Sequence, residues 1–290
     1  EPEDGTAGQA PRFEQQESDE QLDPTLDEDI AAWFDADSQV PKLHLLGPVR
    51  ATAHGSPAAV ARRKPHYVEL LAYLAMHPEG VASRQVADAF SMSRDRVRID
   101  IGVVRKWLGD NPRTGRPYLP AAAQSRAAGN SGVWTYQVDD VLVDADLFRR
   151  LRARGQARGD DGQEDLDVAL RLVEGPPFSD LRETGWSWLL DSDSRDDEIL
   201  ACAIVDLAHD VVSTALRNDD VERAAEAVTT ATLASPYDEI ARVDRAAVLV
   251  AQGHEAAARE FLASAVHNRT DDGLGPIDVP LQTARTMSRS

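Results

Sequence analysis

Ser91-Met-Ser-Arg-Asp-Arg-Val-Arg-Ile-Asp-Ile-Gly-Val-Val-Arg-Lys-Trp-Leu-Gly109 is the stretch on which the reading of this chain turns. From Ser93 onward, Val97, Ile101, Val104 and Leu108 recur at spacings of four, three and four, the stripe of an amphipathic helix. The other positions carry Arg94, Arg96, Arg98, Arg105 and Lys106. That basic character is local, because the chain has 50 carboxylates against 31 Lys plus Arg and a formal charge of −19. Residues 1 to 39 carry a net −12, residues 40 to 140 a net +6 and the remainder a net −13. A basic segment between two acidic ones is the electrostatic footprint expected of a polyanion site.

Working back from the helix, Ser91 or Ser93 is its expected N-cap, and Ser83 the N-cap of a shorter helix from Arg84 to Phe90 with Val86, Ala87 and Phe90 inward. Before it, Lys64 to Met76 reads as a helix with Tyr67, Leu70, Leu71, Leu74 and Ala75 on one face, ended by Pro78 and Gly80. Two helices joined by a tight turn, the second basic, match a helix-turn-helix plan. Residues 40 to 53 alternate about a Gly47-Pro48 break and predict two short antiparallel strands. Residues 1 to 39 are rich in Glu, Asp, Gln, Pro and Gly, which predicts a disordered acidic linker able to compete with nucleic acid for the basic segment. Within it, Trp33 and Phe34 either dock onto a folded surface or stay solvated.

Forward from Gly109, a turn-rich segment, a Tyr118-Leu-Pro strand and an alternating Val133 to Val138 predict strands flanking a loop. That arrangement is a wing bearing Arg116 and Arg126, or else an ordinary surface hairpin. From Asp144 the pattern is helical: Asp144 to Arg158, Gln163 to Glu174, about Gly185 to Leu216, Val221 to Ala234, Tyr237 to Gln252 and Glu255 to His267. The later helices repeat at an offset of 34, with Ala224 over Ala258 and Val228 over Leu262. This is the period of tetratricopeptide helix pairs. The expected domains are a linker (1–39), a winged helix-turn-helix of α+β type (40–143), an all-α tetratricopeptide-like helical domain (144–268) and a flexible tail (269–290), making the fold mainly α.

This order resembles the Streptomyces antibiotic regulatory protein family, a response-regulator-like winged helix followed by a bacterial transcriptional activator domain. Arg96 to Gly109, Val143-Asp-Ala-Asp-Leu-Phe-Arg-Arg-Leu151 and Ala169-Leu-Arg-Leu-Val-Glu-Gly-Pro-Pro-Phe-Ser-Asp-Leu181 carry the resemblance, which covers about residues 40 to 267. It implies a recognition helix from Ser93 to Leu108 with Arg94, Arg96, Arg98, Arg105 and Lys106 against DNA, and Arg116 and Arg126 on the wing. Asp100 and Val103 depart from the family pattern, since an Asp facing a phosphate repels it and Val103 donates nothing.

No Walker loop, GxGxxG or HExxH is present, and Asp191 to Glu198 lacks the glycine and ligand pattern of a calcium loop. No catalytic residue, metal site or cofactor is therefore expected, and the chain does not read as an enzyme. The single cysteine, Cys202, sits in an apolar helical pattern as an expected core residue, and excludes an intrachain disulfide. A reducing, cytoplasmic setting follows most simply. Residue 1 is Glu rather than Met, so the chain is expected to be processed or cut from a longer polypeptide, in which a membrane anchor could lie upstream. Two functions are compatible with these features: a DNA-binding transcriptional regulator whose helical domain dimerises or contacts a partner, and a scaffold that has lost DNA binding and contacts protein only.

Overall fold

The computed structural model describes residues 23–191 and 194–266. The fold is mainly helical, with a small sheet in its N-terminal part. Strands β1 (Lys42–His44) and β2 (Arg50–Thr52) pair antiparallel in the register Leu43↔Ala51. The Gly47-Pro48 turn between them is the one the alternation anticipates. Strand β5 (Leu142–Val143) adds to β1 in parallel, giving the order β2-β1-β5. Asp144 follows it at once and begins a helix, and its carboxylate accepts from the amides of Leu45 and Leu46, which leave β1, and from Ala145. Burial pushes this carboxyl up to about 7 against those donors. One side chain thus closes the sheet and fixes where the second helical half departs.

Helix α1 (Leu26–Phe34) is the first departure from expectation: this part of the acidic leader is ordered, whereas residues 1–22 lie outside the described residues. Leu26 is wholly buried and Trp33 nearly so, the indole lying 4.5 Å from the His44 ring and tilted 47° to it, while Phe34 stays exposed under the Arg171 guanidinium. The Lys42 ammonium donates to the Trp33 and Asp35 carbonyls at the C-terminal end of α1, where the helix dipole favours a cation. The acids dock as well: Arg150 bonds Asp23 and Asp29, Arg154 bonds Asp27, and Arg113 bonds Glu28.

Helix α2 (Lys64–Ala75) is buried on nearly every side from His66 to Leu74. Helix α3 (Ser83–Ala89) is capped at Ala82 and not at Ser83; the Gln85 carboxamide oxygen accepts from the Ala82 amide. Helix α4 (Arg94–Leu108) is capped by Ser93, whose hydroxyl accepts from the Arg96 amide. It packs against α2, α3 and the Pro57–Ala59 turn. Strand β3 (Val81–Ala82) pairs antiparallel with β4 (Thr135–Tyr136). The expected pair of strands flanking a loop is thus replaced. Tyr118 forms no strand, and Arg126–Ser131 is a short helix, α5, because Ser125 caps it through the Ala128 amide.

Six further helices follow: α6 (Asp144–Arg158), α7 (Gln163–Arg171), the single-turn α8 (Ser187–Leu190), α9 (Asp196–Arg217), α10 (Val221–Ala234) and α11 (Glu239–Ala251). A seventh, α12 (Glu255–Phe261), ends in a π turn. The expected Gln163 to Glu174 helix stops at Arg171, and the expected long helix is broken into α8 and α9. Helices α9 to α12 pack on their sequence neighbours, as short connections require. Ala224, Ala258, Val228 and Leu262, which coincide at the 34-residue offset, are all buried. By length and composition α9 could cross a bilayer, yet Leu200, Ile204, Leu207, Ala208 and Val211 are buried against the other helices. Cys202 is exposed, against the expectation of a core position. The flexible tail expected at 269–290 lies outside the described residues.

Candidate nucleic-acid interface

The expected apolar stripe of α4 is the one that packs: Val97, Ile101, Val104 and Leu108 are at most 1% exposed. Two residues join it that spacing alone does not place there, Trp107 and Asp100. Asp100 is wholly buried, so it faces no ligand. Its Oδ2 lies 2.9 Å from His66 Nε2 on α2 and accepts from Arg96 Nε at 3.0 Å, and Arg96 Nη2 approaches Oδ1 at 2.8 Å. Arg63 stands 3.8 Å away. Burial, with the Asp100 charge beside it, pushes the Tyr67 phenol up. A buried carboxylate is tolerable only with such partners, and this one fixes the rotation of α4 against α2.

The opposite end of α4 is held by backbone. The amides of Gly55 and Ser56 donate to the Trp107 and Lys106 carbonyls at 3.0 and 2.8 Å, satisfying acceptors the helix leaves open. Gly55 is required by this approach, since a Cβ there would lie 2.4 Å from the Lys106 oxygen.

These constraints divide the seven basic candidates. Arg96 is committed to Asp100, and Arg105 donates to the Leu119 and Pro120 carbonyls at 2.6 and 3.0 Å. Both guanidinium groups are bonded within the fold, although the Arg96 side chain remains 42% exposed. Arg126 pairs with Asp139 at 3.2 Å, a carboxyl that burial pushes up while Arg126 pulls it down. Arg94, Arg98, Lys106 and Arg116 are exposed. Among the described residues Arg98 alone of these four makes an ion pair, a 3.4 Å contact with Asp95 that solvent screens. Val103 is half-buried, which accounts for its apolar character.

The outward face of α4 therefore carries Arg94, Asp95, Arg98, Ile99, Gly102 and Lys106. Ile99 is 59% exposed, and Trp134, beside β4, is 72% exposed. Trp134 lies in the Val133 to Val138 alternation, but its exposure depends on pairing of β4 with β3 through the neighbouring Thr135 and Tyr136, which the sequence does not announce. No group of three or more His, Cys, Asp or Glu residues is placed to hold a metal among the described residues. No protein-family model matches the chain, and no curated protein matches it at a significant level.

Proposed function

We propose that residues 40–143 are a winged helix-turn-helix whose α4 helix holds duplex DNA, and that residues 144–268 are a tetratricopeptide-like activator domain serving dimerisation or a partner. The chain would act as a cytoplasmic transcriptional regulator of the Streptomyces antibiotic regulatory type. Support comes from the order α2, β3, α3, α4 and β4, with β4 returning to pair with β3, and from the burial of the residues that coincide at the 34-residue offset. The observation that carries the reading is the solvent face of α4, where Arg94, Arg98 and Lys106 are exposed while the helix itself is locked to the core by Asp100. That face has no Asn, Gln, Ser or Thr beyond its cap, so it is suited to phosphates more than to base edges.

The test is fluorescence anisotropy on duplex DNA across a salt series, with Arg94, Arg98 and Lys106 changed together to Ala. Arg96 and Arg105 stay untouched, because their loss would disturb the fold. Three phosphate contacts should steepen the slope of log affinity against log salt by about 2.7, and the triple variant should lose that increment. Identical slopes in parent and variant would defeat the reading. The second reading, a protein-interaction scaffold without DNA binding, is favoured by the exposure of Ile99 and Trp134. It requires that the parent show no salt-dependent DNA binding, while Ile99→Ser and Trp134→Ser abolish capture of a protein partner.

A further inference from the structure

A cavity of about 360 Å³ opens at the seam between the β1–β2 hairpin, the start of α2 and the loop ahead of α8. Its size falls in the range of small-molecule sites, about 300 to 1,000 Å³. Its walls are mostly apolar, from Val49, Pro65, Val68, Leu181 and Trp186. Four charges border this region in two closed pairs. Arg50, which lines it, forks onto Glu174 at 2.6 and 2.7 Å, and Arg182, which also lines it, donates to the buried Glu69 at 2.6 Å. The remaining lining charges are Lys64 and Asp180, and among the described residues neither has an ion-pair or hydrogen-bond partner for its side chain. They are opposite in sign, more than ion-pair distance apart, and share one small cavity.

The loop that forms the far wall is held in place before any ligand arrives. Phe178 and Ser179 donate backbone bonds to Leu45 and Gly47, Val49 donates to Ser179, and Trp186 donates to the Glu69 carboxylate at 2.6 Å. Within this short segment Phe178, Asp180 and Trp186 all take left-handed backbone conformations, at φ 54, 57 and 63°. Such conformations persist only where surrounding contacts over-determine them, and they concentrate at ligand clamps.

We propose that this cavity binds a free amino acid with an apolar side chain. The ligand's ammonium pairs with Asp180, its carboxylate with Lys64, and its side chain lies among Val68, Leu181 and Trp186. A zwitterion carries one charged group of each sign on a single carbon, which is the complement the two unpaired lining residues present. The apolar walls exclude a polar side chain, and the closed pairs at Arg50 and Arg182 leave no second anion site. The site stands apart from the α4 surface and its test contains no DNA.

The test is calorimetric titration of the full chain with L-phenylalanine, 3-phenylpropanoate and 2-phenylethylamine, repeated on Lys64→Ala and Asp180→Asn. Both side chains are exposed, and Asn accepts a left-handed conformation readily, so both variants should keep the parent's thermal melt. L-phenylalanine should bind, each variant should weaken it at least tenfold, and each single-charge analogue should bind at least tenfold more weakly than the amino acid. The proposal is overturned if L-phenylalanine gives no binding, or if both variants bind it as the parent does. It is equally overturned if 3-phenylpropanoate matches L-phenylalanine, which would mark a carboxylate site with no role for Asp180, or if 2-phenylethylamine does so.

Discussion

Asp100→Asn separates two physical accounts of α4. If the carboxylate faced the ligand, neutralising it would remove a repulsion, raise affinity for DNA and leave stability alone. In the structure it is wholly buried, 2.9 Å from His66 Nε2 and bonded by Arg96. Breaking a buried ion pair by removing one partner costs about 3–5 kcal/mol. Two features lower that figure here. The Arg96 and Arg63 side chains are 42% and 45% exposed, so their freed guanidinium groups can hydrate. Asn also keeps one carbonyl oxygen as an acceptor. His66, with a side chain only 9% exposed, cannot escape to water and carries the remaining penalty. A loss of about 2 kcal/mol follows, intermediate between a neutral hydrogen bond and a stranded charge. With a urea m value of about 3 kcal/mol/M, the unfolding midpoint followed by circular dichroism should fall by about 0.7 M. An unchanged midpoint with stronger DNA binding would refute the buried placement and restore Asp100 to the surface.

Three other outcomes follow from particular contacts. Arg150→Ala removes bonds to Asp23, Thr25 and Asp29 from a side chain that is 23% exposed; it should cost about 1–2 kcal/mol and make residues 23–39 the first site of limited proteolysis, whereas unchanged protection would mean that α1 is held without it. Gly55→Ala forces a Cβ against the Lys106 and Trp107 carbonyls and should destabilise by about 2 kcal/mol, with a melt equal to the parent's arguing against the close approach. The hydrogen bond from His209 to Asp244 raises the His209 pKa, opposed by burial and reinforced by Asp244, Asp210 and Asp206. The folded-state pKa lies above the unfolded value of about 6.5, so this stabilisation is fully present below that pH and is lost as pH rises through the raised value. Thermal melts across that window should decline less steeply in His209→Gln than in the parent, the remaining decline coming from the Asp144 carboxyl, which burial raises to about 7; equal slopes would remove His209 from the effect.

What sequence disclosed and what it hid divide along the range of the interactions. The α4 stripe and its Ser93 cap are set by residues within a few turns, and they were readable. The placement of Asp100 was not, because its burial depends on His66, 34 positions earlier, and a carboxylate carries no mark of its eventual partner. The same holds for Arg105, whose acceptors are two backbone carbonyls presented by the Leu119-Pro120 bend. The exposure of Cys202 is not legible because α9 is apolar around much of its circumference, so its pattern does not say which side faces the core. Helix α1 was hidden by composition. Leu26, Ile30 and Trp33 lie four and three residues apart, a helical stripe with acids in its first turn, which an average over residues 1–39 dilutes below notice.

The docking of α1 also changes what the acidic leader can do to the basic surface. As a free tether, its 13 acids would compete with a polyanion for Arg94, Arg98, Lys106 and Arg116. In the fold Asp23, Asp27 and Asp29 are already bound to Arg150 and Arg154, which lie on α6 and not on α4, and Glu28 is bound to Arg113. Nine acids remain as the source of any competition: seven ahead of Asp23, beside one arginine, and Asp35 and Asp37 after α1. Removing residues 1–39 would therefore confuse two effects, the loss of a competing charge and the stranding of Arg150 and Arg154 with the apolar sites under Leu26 and Trp33. Removal of residues 1–22 alone isolates the electrostatic one. The net charge of a segment bounds its reach over a neighbouring surface only after the charges it has already spent on its own fold are taken away.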